Sequence, residues 1–516
     1  MLAWFRFLTI AVLSVTFATG AAAGARTVGP SSTKPAPSTT TWPPLPRFAT
    51  AVSWSDCGDG FQCGTLAVPV SWLAPAGETL PLALIRRPAA SPSDRIGALV
   101  MNYGGPGESG VAYLRNTWQR LPGVVRDRFD LVSFDPRGTG ASRPIDCVDD
   151  SFIDLSGFLP DVPTTDAALD AVHRYNQTFA DGCRQRMGAY AGQVGTRNTA
   201  RDLEAIRIAL GEPKLTYLGY SYGTVLGAAY AQMFPTTIRA MVLDGPPDYA
   251  LSARDYSYAQ AQGFMRALDA FLTWCSDTSC AFAGGGAPRD VLYQLIDRVR
   301  QQPLPASYSL AGVTRNGALT PGLLETAVIS LLYDESRGWP ALASDLHDAV
   351  QNGWGGSLLA ADDQFLRRGL DGKWSPLVEA NVVIDCVDRP ATAKVSLEQE
   401  RADVGTFQAQ LPPWGGSWAT ATCVGMPKPA RGDKLGKIDV AGAPPILVVG
   451  TTGDPATPYA GAQTLVSHIH GAGLLTFEST EHTAFGSGRS GCIDDAVDSY
   501  LVGGTMPAPG TRCAAG

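Results

Sequence analysis

Leu215-Thr216-Tyr217-Leu218-Gly219-Tyr220-Ser221-Tyr222-Gly223-Thr224-Val225-Leu226-Gly227-Ala228-Ala229-Tyr230-Ala231 is the stretch that decides the fold. Its first four residues form a strand-like apolar run, and the residues after Gly223 begin a helix with small residues on one side. Between them lies Gly-x-Ser-x-Gly, which matches a nucleophile elbow in the strand–turn–helix setting that motif requires. The turn leaves no room for a Cβ two residues either side of Ser221, hence glycine at 219 and 223. It lifts the serine oxygen above the sheet edge and aims a helix N-terminus at whatever reacts there.

Outward from this turn the chain keeps a strand–helix–strand rhythm. Ala98–Asn102 and Asp130–Phe134 are nearly continuous apolar runs, as suits parallel strands buried on both faces. Earlier strands are predicted over Gly64–Val70 and Leu80–Ile85, and a later one at Ala240–Leu243. Asp202–Leu210 has helical spacing, with Leu203, Ile206 and Leu210 on one side and Asp202, Glu204 and Arg207 on the other. Gly211 stops it. After Asp248 the pattern becomes mostly helical, broken by Gly, Pro and Trp clusters, until Pro445–Val449 restores the strand rhythm and Leu474–Phe477 continues it. The expected architecture is α/β: a mostly parallel sheet, with a large helical cap inserted between the strand after the elbow helix and a later strand. The expected organisation is a first core part at 47–248, a cap at 249–430 and a second core part at 431–516.

The chain has 516 residues, 45% of them hydrophobic, enough for one large domain with an insertion. The net charge of −8 comes without a basic stripe, so nucleic acid is excluded as a partner. Residues 1–25 read as a targeting segment: Arg6, an apolar run from Phe7 to Phe17, and small residues at Ala21-Ala22-Ala23. That run is short for a membrane span, so no stable span is expected once the segment is removed. Residues 26–46 are a Pro/Ser/Thr-rich linker. An extracytoplasmic protein is expected, secreted or held at the cell envelope. The ten cysteines agree with export and fall into neighbour pairs along the chain: Cys57 with Cys63, Cys147 with Cys183, Cys275 with Cys280, Cys386 with Cys423, and Cys492 with Cys513. The absence of Cys-x-x-Cys and the scatter of the five histidines argue against a metal site. No cofactor is implied.

A serine nucleophile needs a base, and the base an acid to orient it. For an elbow on such a sheet the chain order is serine, then acid, then histidine. His173 precedes the elbow, His347 falls in the cap, and His468 and His470 end a helix pattern. His482 follows the last predicted strand, where a loop reaches over the sheet edge, and is the expected base. The expected acid is Asp454, in Gly453-Asp454-Pro455-Ala456-Thr457-Pro458, where two prolines stiffen the loop. Asp244, after the preceding strand, is the rival. Thr457 fits either a support for Asp454 or a helix N-cap. The oxyanion needs two N–H donors. Tyr222 supplies one, and the loop Asn102-Tyr103-Gly104-Gly105-Pro106-Gly107 the other, from Gly105 with Gly104 as alternative. A phosphate loop is disfavoured because no Gly-Lys-Ser/Thr follows. Asp135-Pro136-Arg137-Gly138-Thr139-Gly140 reads as a turn with a buried ion pair.

These pieces together resemble the secreted actinobacterial tripeptidyl aminopeptidase-like serine hydrolases, of the prolyl-aminopeptidase branch of the α/β-hydrolases. The matching motifs are Gly104–Gly107, Asp135–Gly140, Gly219–Thr224, Asp454–Pro458 and the tail Cys492…Tyr500-Leu501…Pro507…Gly510-Thr511-Arg512-Cys513. The resemblance implies a triad of Ser221, Asp454 and His482, a TAP-like C-terminal region, and release of short peptides from a free amino end. A carboxylesterase or lipase using the same triad is the alternative. Glu108 and Glu481 stand where the family usually has glycine, and both bring charge near the pocket. Binding a substrate ammonium needs a desolvated carboxylate. The candidates are Asp385, Asp388, Asp334 and Glu335 in the cap, Asp388 foremost because a disulfide at Cys386 would hold it, with Glu108 beside the oxyanion loop.

Overall fold

The computed structural model describes residues 51–390 and 395–516. The targeting segment at 1–25 and the linker at 26–46 lie outside them. Ten strands form one sheet: β1 (Ser55–Asp56), β2 (Gln62–Pro69), β3 (Thr79–Arg87), β4 (Gly97–Asn102), β5 (Phe129–Phe134), β6 (Leu215–Tyr220), β7 (Ile238–Asp244), β10 (Leu447–Thr451), β11 (Gly473–Glu478) and β12 (Arg512–Ala514). Two more, β8 (Leu304–Leu310) and β9 (Val313–Leu319), form a separate hairpin. The large sheet runs β1-β2-β3-β5-β4-β6-β7-β10-β11-β12. It is antiparallel from β1 through the β3–β5 pairing and parallel from β5 to β12.

The apolar runs serve both faces. In β4, Ala98 and Val100 enter one hydrophobic cluster while Leu99 and Met101 enter another across the sheet. Ile446 and Val448 alternate with Leu447 and Val449 in the same way. A strand's period of two thus turns one unbroken apolar run into two half-cores, each buried side chain contributing about 1.5–3 kcal/mol. Helices Thr196–Ala209 and Tyr222–Met233 cover the first face, and Gly110–Thr117 and Gly491–Gly503 the second.

The helix around Asp202 starts at Thr196, earlier than its apolar spacing indicates, and its polar side is buried as well. Asp202 takes a fork of two 2.6 Å bonds from Arg137 and a third from the Trp72 indole, while Glu204 pairs with Arg207 and accepts from the Tyr230 hydroxyl. Arg137 also donates to the carbonyls of Val70, Gln193 and Pro69. The Asp135–Gly140 motif is therefore the buried ion pair the sequence suggests, with Asp135 accepting from Ser109, Val111 and Ala141 around it.

The chain leaves the sheet after β7 and returns at β10, its neighbour. The insertion between them is mostly helical and has its own core of Phe264, Leu268, Phe271, Leu295, Leu324, Trp339 and Trp414, among others. The β8–β9 hairpin interrupts that helical pattern. Its two-residue turn, Ala311-Gly312, has φ of +51° and +79°, the positive pair that twists with the strands. Helix Leu377–Asp388 packs differently: Ala380, Val383, Ile384 and Val387 join the cluster of the main sheet. The five cysteine pairs expected from neighbour order all stand at disulfide distance, and no cysteine is free.

Candidate active site

β6 delivers Ser221 into a turn with φ +52° and ψ −125°, a region non-glycine residues rarely occupy and one associated with functional strain. The neighbours explain the glycines. A Cβ on Gly219 would stand 2.4 Å from the Gly223 carbonyl oxygen, and one on Gly223 2.5 Å from that of Asn102. Tyr222 opens the following helix, so its N–H has no partner within that helix. The loop after β4 lies against the turn: a Cβ on Gly104 would meet the Ser221 Cβ at 2.9 Å. The Gly104 N–H donates to Asn102 Oδ1 (3.1 Å), whereas Gly105 is exposed.

His482 sits in the loop after β11, its Nδ1 at 2.9 and 3.0 Å from the two oxygens of Asp454, which is fully buried. Asp454 is aimed by its own loop. Oδ1 accepts the N–H groups of Ala456 and Thr457, and Oδ2 the Thr457 hydroxyl at 2.9 Å. Thr457 therefore supports Asp454, and the next helix, Ala460–His468, begins beyond it. Burial alone would lower the His482 pKa. The charge and hydrogen bond of Asp454, with a further push from Asp244, outweigh burial and hold it above the ordinary imidazole value.

The rival aspartate turns elsewhere. Asp244 accepts from the main-chain N–H groups of Ala484 and Phe485, and burial pushes its pKa up to about 7 against those bonds.

The insertion closes over the histidine. The His482 N–H donates to the Tyr333 carbonyl at 3.0 Å, and the Tyr333 ring meets the imidazole edge-on, centroids 5.1 Å apart. Two residues on, Glu335 accepts from Thr480 (2.5 Å), and Asp334 accepts from Ser336 and Arg337 within its own turn. Helix Leu377–Asp388 roofs the Gly104–Gly107 loop: Asn381 donates to the Pro106 carbonyl at 3.0 Å, and a Cβ on Gly107 would stand 2.9 Å from the Leu377 oxygen. Tyr333 and Thr196 were invisible as site residues in the sequence, because neither belongs to a motif and each acts through partners far along the chain.

Asp388, the foremost ammonium candidate, has both carboxylate oxygens bonded within the protein. It is 4% exposed, and its two oxygens accept the N–H (2.9 Å) and hydroxyl (2.5 Å) of Thr196, whose Oγ1 also meets the Tyr222 hydroxyl at 2.5 Å. It thus caps the helix starting at Thr196, and burial pushes its pKa up to about 7. Asp385, one turn earlier, has a side chain 36% exposed and holds Arg389 at 2.8 Å, whose guanidinium stacks on Tyr256 and Tyr249. Glu108 is half-buried and faces Arg367 of the insertion at 3.4 Å, with burial raising its pKa and the arginine partly offsetting it. Glu481 pairs with Arg489 at 3.0 Å. Among the described residues, no group of three or more His, Cys, Asp or Glu side chains is placed to hold a metal.

A serine strained in this way at the carboxyl edge of a sheet of this order is the mark of the α/β-hydrolases, and the chain is a hydrolase enzyme of that class. Residues 97–285 match the alpha/beta hydrolase fold family, and residues 409–513 match the family described as TAP-like protein. The chain is 37% identical to serine protease Hip1 of Mycobacterium tuberculosis, covering 91% of this chain and 92% of that protein. It is 34% identical to carboxylesterase B of the same organism, over 92% of each. It is 31% identical to tripeptidyl aminopeptidase of Streptomyces lividans, over 90% of this chain and 86% of the relative. The chain belongs to the TAP-like family of α/β-hydrolases.

Proposed function

We propose that this serine hydrolase is an exported aminopeptidase that releases short peptides from free amino ends through an acyl-enzyme. Ser221 attacks the scissile carbonyl. His482 takes its proton and later gives it to the leaving amine, while Asp454 holds the imidazole tautomer. Gly105 and Tyr222 donate their N–H groups to the oxyanion. The observation that carries the hydrolytic reading is the bond from His482 Nδ1 to a fully buried Asp454 that its own loop has already aimed. The cysteine pairing supports an extracytoplasmic setting, and no helix among the described residues is long and apolar enough to cross a membrane.

The peptidase reading rests on the relatives named as a protease and an aminopeptidase, and on Asp385, a carboxylate of the insertion with a partly exposed side chain. We assign the ammonium of the substrate to Asp385 in place of Asp388. The second reading, a carboxylesterase, is favoured by the relative of that name and by the Tyr333 ring beside His482, which itself packs on Phe365 and Phe264.

The test is kcat/KM on a tripeptide anilide with a free amino end and on its N-acetylated twin, with Ser221→Ala as the inactive control. The expected result is a strong preference for the free amine that Asp385→Asn abolishes. Equal turnover of both anilides, with fast cleavage of a short-chain ester, would establish the esterase instead.

A further inference from the structure

We infer that Asp244 is a positioning residue that fixes the His482 loop against the Ser221 elbow; the inference rests on the triad reading above. Three contacts meet at this one strand end. The Ser221 N–H donates to the Asp244 carbonyl at 2.9 Å. The side-chain Oδ2 accepts the Ala484 N–H at 3.0 Å and the Phe485 N–H at 2.8 Å. The next residue, Gly245, has φ +69° and runs so close to both other loops that a Cβ there would meet Thr483 at 3.0 Å and Thr457 at 3.2 Å. The elbow, the acid loop and the histidine loop thus share one buried anchor, which is 0% exposed. A bond from the Tyr220 hydroxyl to the Phe485 carbonyl, 3.2 Å, closes the same link from the residue before the nucleophile.

The chemistry explains why an acid stands there. Residues 481–486 have no strand or helix to satisfy their main chain, and buried N–H groups need acceptors. Asp244 supplies one oxygen to two successive N–H groups, those of Ala484 and Phe485, two and three residues after His482. Its carboxylate bonds the main chain of the loop and leaves the imidazole to Asp454, so it acts through the loop and not on the proton being moved. The titratable groups around it are Asp454, His482 and Tyr220.

The experiment compares Asp244→Ala, Asp244→Asn, Asp454→Asn and Ser221→Ala in the full chain. Its readouts are kcat and KM, the rate of labelling by a fluorophosphonate, and amide hydrogen exchange over residues 481–486. A displaced loop is expected to cost Asp244→Ala about 100-fold in kcat and in labelling rate, with KM nearly unchanged, since a misplacement of about 1 Å has that effect. Its amides at 484 and 485 exchange faster. In Asp244→Asn the amide oxygen takes the place of Oδ2 and accepts both N–H groups. This variant recovers to within about tenfold of the parent and far exceeds Asp454→Asn. Asp244→Ala with the parent's kcat overturns the inference. So does Asp244→Asn as inactive as Asp454→Asn, which would make Asp244 the acid itself. If Asp244→Ala does not fold, the asparagine variant and its exchange pattern decide. An active Ser221→Ala or a fully active Asp454→Asn breaks the triad reading instead, a result separate from either outcome for Asp244.

Discussion

Strands β10 and β7 lie side by side, and the chain leaves each past a buried aspartate beside the His482 loop: Asp454 in the turn after β10, Asp244 at the end of β7. The two carboxylates do different work. Asp454 meets the imidazole, and Asp244 meets only main-chain N–H groups. The difference comes from the next few residues of each loop. After Asp454, Pro455 and Pro458 stiffen a loop that folds its own N–H groups and a threonine hydroxyl back onto the carboxylate. After Asp244, Gly245 turns through positive φ and the chain departs into the insertion, leaving the side chain beneath the histidine loop. Residue type qualifies both aspartates to orient a histidine, and loop geometry decides which of them meets the imidazole.

The largest effect is expected of Asp454→Asn. An amide in that place favours the wrong tautomer of His482, and kcat is expected to fall about 10³–10⁴-fold, or about 4–5.5 kcal/mol of barrier. The pH profile carries the same point. His482 must be neutral to act as base, and its pKa is held above the ordinary imidazole value. The parent's kcat/KM should therefore rise through an acid limb lying above about 6.5, the unperturbed value. Asp454→Asn removes the charge that raises the pKa and leaves burial, which lowers it, so the residual activity should show its limb at lower pH. An unmoved limb would mean that Asp454 is not the partner of the base.

A third buried aspartate extends the comparison to one with no part in the chemistry. Asp202 is held by the fork from Arg137, both side chains fully buried. Arg137→Ala leaves that carboxylate without its partner and is expected to cost about 3–5 kcal/mol of stability. A denaturant melt reads the loss, and a change under about 1 kcal/mol would show that the pair is not what holds the turn.

How far the sequence was legible depends on the same division between local and distant causes. The strands beside the site were readable because each apolar run serves two half-cores, a demand carried by the strand's own residues. The pairing of His482 with Asp454 was readable because a histidine base and its acid are fixed in both residue type and chain order, and the cysteine pairs because neighbours in sequence are neighbours in space. The first turn of the helix at Thr196 was not. Its residues are polar, and they are buried only because Asp388 and Asp433 arrive from far along the chain to bond Thr196 and Asn198. β12 was missed because Arg512–Ala514 is too short and polar to show a pattern. Tyr333 was missed because its hold on His482 is a main-chain carbonyl and a ring edge, which no residue spacing announces. For the same reason nothing in the sequence announces that Asp388 bonds the first turn of the helix at Thr196.

The smallest expected effect tests how finely Asp454 is aimed. Thr457 Oγ1 donates to Asp454 Oδ2 at 2.9 Å and lies 3.3 Å from His482 Nδ1. Thr457→Val keeps the shape and removes that donor, while the Ala456 and Thr457 N–H groups continue to hold Oδ1. The loss of one hydrogen bond of about 1–1.5 kcal/mol should lower kcat/KM by about tenfold. It also leaves the Asp454 charge less stabilised by its own loop and so more strongly engaged with the imidazole. The His482 pKa should then rise and the acid limb move to higher pH, opposite to its movement in Asp454→Asn. Opposite shifts from two changes at one carboxylate would locate the control of the base in the Asp454 loop. An acid limb that moves the same way in both variants would show that the hydroxyl acts on the imidazole directly.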